Sequence, residues 1–180
     1  YPLHYSYTSK YFSSLIINSE IESVVQADAK SLFAEDENFT VKALKAVNEI
    51  VAVYRVDDQN IEMAIRLPPM FPLRKVDVNG VQKVGVDEKR WRAWLLAVSA
   101  IIVSQNGNLV DALTLFKRNV SMHFEGIEDC TICYSIVSVT DRSLPSKQCR
   151  TCKNKYHASC LYKWFSSSNS SSCPLCRTLF

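Results

Sequence analysis

The residues of this 180-residue chain whose types and spacing can do chemistry are seven cysteines and one histidine, and every cysteine lies between positions 130 and 176. They run Cys130-x2-Cys133, fifteen residues, Cys149-x2-Cys152, four residues, His157, two residues, Cys160, twelve residues, Cys173-x2-Cys176. A two-residue gap lets two side chains of a tight turn reach one ion at about 2.0–2.3 Å, and a tetrahedral zinc takes four such ligands. Eight ligands in four pairs thus serve two zinc ions with no cysteine left over. The competing chemistry is a disulfide framework. That needs an oxidising compartment and ordinarily an even cysteine count, whereas here His157 stands where an eighth cysteine would fall. His4 and His123 have no such neighbours and carry no ligand expectation. The first 129 residues, lacking cysteine, hold neither a disulfide nor a thiol nucleophile.

Charge divides along the same line. From Cys130 onward there are seven Lys and Arg against one acid, Asp141, a formal +6 that leaves the front segment at −3. A basic tail ordinarily suggests nucleic acid or an acidic partner. Seven thiolates and two zinc dications would bring +6 down to +3, so several of these cations offset the metal sites. Regularly interleaved exposed aromatics are also missing, and no sequence-specific nucleic-acid binding is expected. No run approaches the 18 apolar residues of a membrane span, and the opening Tyr1-Pro2-Leu3-His4-Tyr5 lacks the layout of a signal peptide. The absence of an initiating methionine suggests a piece of a longer protein.

The elements that position the ligands are small. So short a module buries little apolar area, and metal binding must supply much of its folding free energy. Ala158 to Phe165 reads as a short helix leaving a ligand. If the Cys-x2-Cys turns expose their middle residues, Ile132, Trp164 and Pro174 form one shallow apolar groove, and exposed apolar residues on a tiny module mean a partner. The bland alternative makes Trp164 the module's own core. Leu161 and Phe165 would otherwise fill that role and free Trp164 to face outward.

Ahead of the cysteines, Val51–Val56 and the alternating Ile61, Met63, Ile65 and Leu67 read as strands joined by a turn at Asp57–Asn60, within a meander of three or four strands ending in Leu67–Pro72. After Asp87, a helix N-cap, Trp91, Trp94, Leu95, Val98, Ile101 and Ile102 recur at helical spacing until Gly107. Leu109, Leu113, Phe116, Val120 and Phe124 repeat the pattern. That period matches burial, so the tryptophans belong to a core. The expected fold class is α+β.

The order of four cysteines, one histidine and three cysteines resembles two families, the PHD fingers, which read histone tails, and a variant of the RING fingers, which recruit ubiquitin-conjugating enzymes. The four-residue gap before His157 is PHD-like. Yet Ser171 stands where PHD fingers place an aromatic, while Ile132, Trp164 and Pro174 stand where RING fingers carry an aliphatic residue, a tryptophan and a proline. The RING resemblance implies a cross-brace, with Cys130, Cys133, His157 and Cys160 on one zinc and Cys149, Cys152, Cys173 and Cys176 on the other. PHD fingers share that pairing. It also implies a transferase that works by positioning: Ile132, Trp164 and Pro174 bind a conjugating enzyme charged with ubiquitin, and Arg177, after the eighth ligand, holds ubiquitin against that enzyme. No ubiquitin would be carried covalently on this chain. The alternative is a PHD-like or purely structural zinc module that only binds protein.

The front segment resembles the RWD domain, a relative of the ubiquitin-conjugating fold that serves as a binding platform, with Phe71-Pro72 where that family has Tyr-Pro. Lacking cysteine, it cannot be a conjugating enzyme. The expected layout is residues 1–19 as the remnant of an upstream helical region, 20–125 as the RWD-like domain and 126–180 as the RING-type finger. This pairing, with Gln105-Asn-Gly, Phe124-Glu-Gly and Cys160-Leu-Tyr-Lys-Trp-Phe, resembles the C-terminal end of the ubiquitin ligases of ribosome-associated quality control. The resemblance implies nascent chains stalled on large ribosomal subunits as substrates, and a cytosolic, ribosome-associated location.

Overall fold

Alternation along the chain builds the sheet. In β2 (Glu49–Val56) the buried residues are Ile50, Ala52, Tyr54 and Val56, every second position, and in β3 (Gln59–Arg66) Ile61, Met63 and Ile65 repeat the pattern. Between them the turn is tight, with Asp57 at a φ of 53°. β1 (Phe39–Leu44) pairs antiparallel with β2, Phe39 opposite Tyr54. β4 (Asp77–Gln82) pairs antiparallel with β3 through a register shift at Glu62/Met63, completing a meander in the order β1-β2-β3-β4. The computed structural model describes residues 7, 9–29, 33, 36–104 and 107–180, and His4, Gln105 and Asn106 lie outside that set.

The meander therefore does not end at Pro72. The proline stretch, with a cis Phe71-Pro72 bond, leads into a fourth strand whose sequence, Asp-Val-Asn-Gly-Val-Gln, has almost no strand signal. A contact explains its glycine. A Cβ on Gly80 would collide with the Trp91 indole nitrogen, so the bare backbone is what lets that ring lie on the strand.

Among the described residues, three α-helices cover the sheet. α2 (Glu88–Ser104) starts at Asp87, whose carboxylate accepts the Arg90 N–H at 2.9 Å. α3 (Leu109–Phe124) opens with a reciprocal cap, Asn108 Oδ1 accepting the Asp111 N–H at 2.9 Å and Asp111 Oδ2 the Asn108 N–H at 3.2 Å. Trp91, Trp94 and Val98 of α2 are buried, as are Leu109, Ala112, Leu113, Phe116 and Val120 of α3. Phe33, Phe39, Phe116 and Trp91 form a chain of ring contacts 5.6 to 6.5 Å between centroids. α1 (Ser14–Ala29) contributes Ile17, Ile21 and Val24, and its Glu20 carboxylate accepts the Leu109 N–H at 3.1 Å. The boundary drawn at residue 19 thus falls inside a helix whose i, i+4, i+7 stripe begins at Ile17. Residues 1–6 and 8 of the segment ahead of it lie outside the described residues.

The contacts divide the chain into two units: one gathers the chain to Arg55 with Asn60–Lys83 and Asp87–His123, the other Phe124–Phe180 with two short pieces, Val56–Gln59 and Val84–Val86. In the second unit the regular elements are β5 (Lys147–Gln148), β6 (Lys155–Tyr156) and α4 (Ala158–Ser168), with Tyr156 and Leu161 at its centre among Cys130, Cys149 and Cys173. Asp57 joins it by accepting the Ile136 and Val137 N–H groups at 2.8 and 2.9 Å. No described helix is long and apolar enough to cross a membrane.

Candidate functional site

Each Cys-x2-Cys turn is built alike. The residue four positions after the first cysteine donates its N–H to that cysteine's carbonyl: Tyr134 to Cys130 at 2.7 Å, Lys153 to Cys149 at 3.1 Å, Arg177 to Cys173 at 3.0 Å. All three are left-handed, with φ of 57°, 63° and 61°. The first cysteine's own N–H then donates to the next carbonyl along, of Ser135, Asn154 or Thr178. This geometry turns two sulfurs toward one point. His157, the N-cap of α4, and Cys160, inside its first turn, supply the fourth pair from a helix.

The turns and the helix gather two tetrads, Cys130, Cys133, His157 and Cys160, and Cys149, Cys152, Cys173 and Cys176, with all ligand atoms of each tetrad within 4.8 Å of one another. A metal bound tetrahedrally at about 2.3 Å from sulfur and 2.0–2.1 Å from nitrogen sets its ligands roughly 3.8 Å apart for two sulfurs and about 3.6 Å for sulfur and nitrogen. Cys149 Sγ to Cys176 Sγ and Cys152 Sγ to Cys173 Sγ are each 3.7 Å, and His157 Nδ1 stands 3.4 Å from Cys133 Sγ and 3.8 Å from Cys160 Sγ. The separations fit a shared ion and are far from the ~2.05 Å of a disulfide. Both tetrads are complete, so neither offers an open position for a substrate.

The histidine's tautomer is determined by its surroundings. Nε2 lies 3.1 Å from the Ile136 carbonyl, which only accepts, so Nε2 carries the proton and the Nδ1 lone pair faces the three sulfurs. The His157 N–H points at Cys130 Sγ, 3.4 Å away. Burial raises the Cys130 thiol, but the His157, Cys133 and Ile132 N–H groups outweigh it and hold it below its ordinary value. Hydrogen bonding from the Asn154 side chain and backbone lowers Cys152 to about 6, whereas burial pushes Cys160 up to about 12. A bound dication favours the thiolate at every ligand.

One functional neighbour carries no cysteine-like signal. Tyr156, fully buried, places its hydroxyl 3.1 Å from Cys173 Sγ, and burial raises its pKa so that it remains a donor to that sulfur. Its ring meets Phe180 edge-on at 5.9 Å, and Phe180 meets Phe165 at 5.7 Å. The only sequence hint was a large aromatic directly before a ligand.

Around the first tetrad, Ile132 and Trp164 line a common groove of about 440 Å³ with Cys133, Ser135, Val139 and Lys163 among its other walls. Trp164 is half-buried, its indole N–H donating to the Ser172 carbonyl at 3.0 Å, while Leu161 of the same helix is buried in the core and Phe165 packs against it. Pro174 is not part of this lining. It sits half-buried in the turn between Cys173 and Cys176, so the trio expected to share one groove is a pair there. Arg177 is exposed, its backbone spent in the third turn.

Residues 128–177 match the family model described as "Ring finger domain", and residues 39–123 the one described as "Ubiquitin conjugating domain-like". Over 175 residues, 97% of this chain, the sequence is 49% identical to the E3 ubiquitin-protein ligase listerin of Schizosaccharomyces pombe. This chain is a listerin relative. Listerin of Gallus gallus is 48% identical over 97% of the chain, and that of Caenorhabditis elegans 38% over 99%. The chain spans only 10 to 12% of the length of these listerins. The match takes in the α+β front domain, which has no cysteine with which to carry ubiquitin as a thioester, and the finger that follows it.

Proposed function

We propose that this chain is the catalytic end of a RING-type ubiquitin ligase, which binds a ubiquitin-charged conjugating enzyme and promotes transfer to substrate lysines. The observation that carries the reading is the groove between Ile132 and Trp164, fixed on the Cys130, Cys133, His157 and Cys160 tetrad of a finger whose relatives are ubiquitin ligases. Two structural zinc ions would occupy the tetrads, supplying folding free energy and no reacting position. Every cysteine is a ligand, so the chain has no spare thiol to carry ubiquitin. Rate comes from orientation: the groove holds the enzyme, Pro174 adds a contact outside that lining, and the exposed Arg177 guanidinium donates to enzyme and ubiquitin together, restricting the thioester to attacking geometry. The kinship further suggests substrates on stalled large ribosomal subunits, a front domain that contacts the ribosome, and a cytosolic location.

The test is discharge of ubiquitin from a panel of charged conjugating enzymes onto free lysine, with the whole chain and zinc present. Trp164→Ala should raise KM for the enzyme with both zinc ions retained. Arg177→Ala should lower kcat and leave KM near the parent value. If the chain accelerates no enzyme in a broad panel, the ligase reading fails.

A further inference from the structure

The groove has a wall that the ligand pattern does not predict. Ser138–Ser143, between the first two Cys-x2-Cys turns, repeats the fold of those turns without cysteines. The Arg142 N–H donates to the Ser138 carbonyl at 2.9 Å, Arg142 is left-handed at a φ of 56°, and the Ser138 N–H donates to the Ser143 carbonyl at 3.0 Å. Ser138 stands where a cysteine would. It is 2% exposed, its Oγ accepts the Thr140 and Asp141 N–H groups at 3.3 and 3.4 Å, and it lies 3.2 Å from Ser159 Oγ at the start of α4. Asp141 then accepts from the Ser143 N–H and hydroxyl.

So pinned a turn should need no exposed apolar residue, yet its second position is Val139, 75% exposed and on the groove wall with Thr140. The first tetrad's turn contributes Ile132 to the same lining, and α4 contributes Trp164 and Lys163. Lys163 is the only charged residue of that lining. A rigid apolar side chain held in water beside two others gains by being covered, and its ordering cost is already met within the fold.

We infer that Val139 is a contact residue for the conjugating enzyme, which seats an apolar side chain between Val139 and Trp164. Val139 thereby sets which enzymes bind well. The occupant follows from continuity, because Ile132 and Trp164, assigned to that enzyme above, line the same groove, and the inference rests on that reading. A surface with no acidic group and one lysine also suits a loop that presents an apolar residue beside carbonyl or carboxylate oxygens.

The experiment measures discharge kinetics for the whole chain against increasing charged enzyme, with zinc content determined for each variant. Val139→Ala should raise KM by roughly three- to tenfold, the scale of two methyl groups partly covered on binding, with kcat near the parent value. Val139→Asp should raise KM further, and both variants should retain two zinc ions per chain. If the parent chain accelerates discharge and both variants match it in KM, the inference is overturned while the ligase reading stands. Loss of zinc in Val139→Ala would also overturn it, by making the residue part of the fold. A parent chain with no activity fails the ligase reading itself, a result distinct from either.

Discussion

At the scale of single residues, the ligands announce themselves and their supports do not. Cys-x2-Cys spacing follows from the reach of two side chains to one ion, so the eight candidate ligands are visible in the sequence with no structure at all, and the fold gathers them into two tetrads. Which carbonyl fixes the His157 ring, and which hydroxyl meets Cys173, depends on how distant segments fold back. Ile136 is an ordinary aliphatic residue until its carbonyl is found 3.1 Å from Nε2. Tyr156→Phe isolates one such support. Removing only the hydroxyl should weaken zinc binding at the Cys149, Cys152, Cys173 and Cys176 tetrad by about tenfold, the low end for a lost outer hydrogen bond to a ligand. Competition with a chelator, followed by zinc release, measures it, and release indistinguishable from the parent would leave the Tyr156 hydroxyl without a role at the metal.

At the scale of elements, legibility follows periodicity. β2 and β3 alternate cleanly, and α2 and α3 keep their apolar residues on one face, so these segments are readable. β4 is not, because its residues are mostly exposed and its glycine is kept for the Trp91 ring rather than for any strand preference. Gly80→Ala should therefore cost the first unit about 1–3 kcal/mol, the usual range for overpacking, and leave zinc content unchanged. Denaturant unfolding of the chain, followed at its tryptophans, gives the value. A change within experimental error would mean that the ring moves aside freely.

Helix α2 carries a pH signature of its own. The Arg90 N–H bound to Asp87 is the main influence holding that carboxyl below the usual carboxylate range. Because the native pKa is depressed, the stabilisation is present above the unfolded carboxylate value near 3.9 and is lost as pH falls through the native one. Carboxyl titration by NMR should place Asp87 below an unstructured reference, and Asp87→Asn should remove that acid-dependent loss. An Asp87 that titrates at the reference value would contradict the capping account.

At the scale of the whole molecule, composition already separates two kinds of stability. The front domain buries Ile, Phe and Trp side chains and contains no cysteine, whereas the second unit has Tyr156 and Leu161 among three buried cysteines, a core so small that metal at the two tetrads would supply the rest. The sequence shows that division at residue 130. What it does not show is that Val56–Gln59 and Val84–Val86 join the second unit, because the turn signal at Asp57–Asn60 says nothing of what the turn meets and the loop has no pattern of its own. The same blindness applies to Val139, which looks like an unremarkable residue between candidate ligands until a cysteine-free copy of their turn presents it to the groove.

If metal-held geometry, and not any reacting side chain, underlies the proposed ligase activity, zinc alone should switch it on. The decisive measurement starts from the chelated chain and follows lysine discharge of a charged conjugating enzyme as zinc is returned. Without metal no acceleration is expected, followed by a rise that saturates at two zinc ions per chain, with the front domain folded throughout. Two bound zinc ions with no acceleration of any enzyme in a broad panel, or full acceleration from the chelated chain, would contradict it.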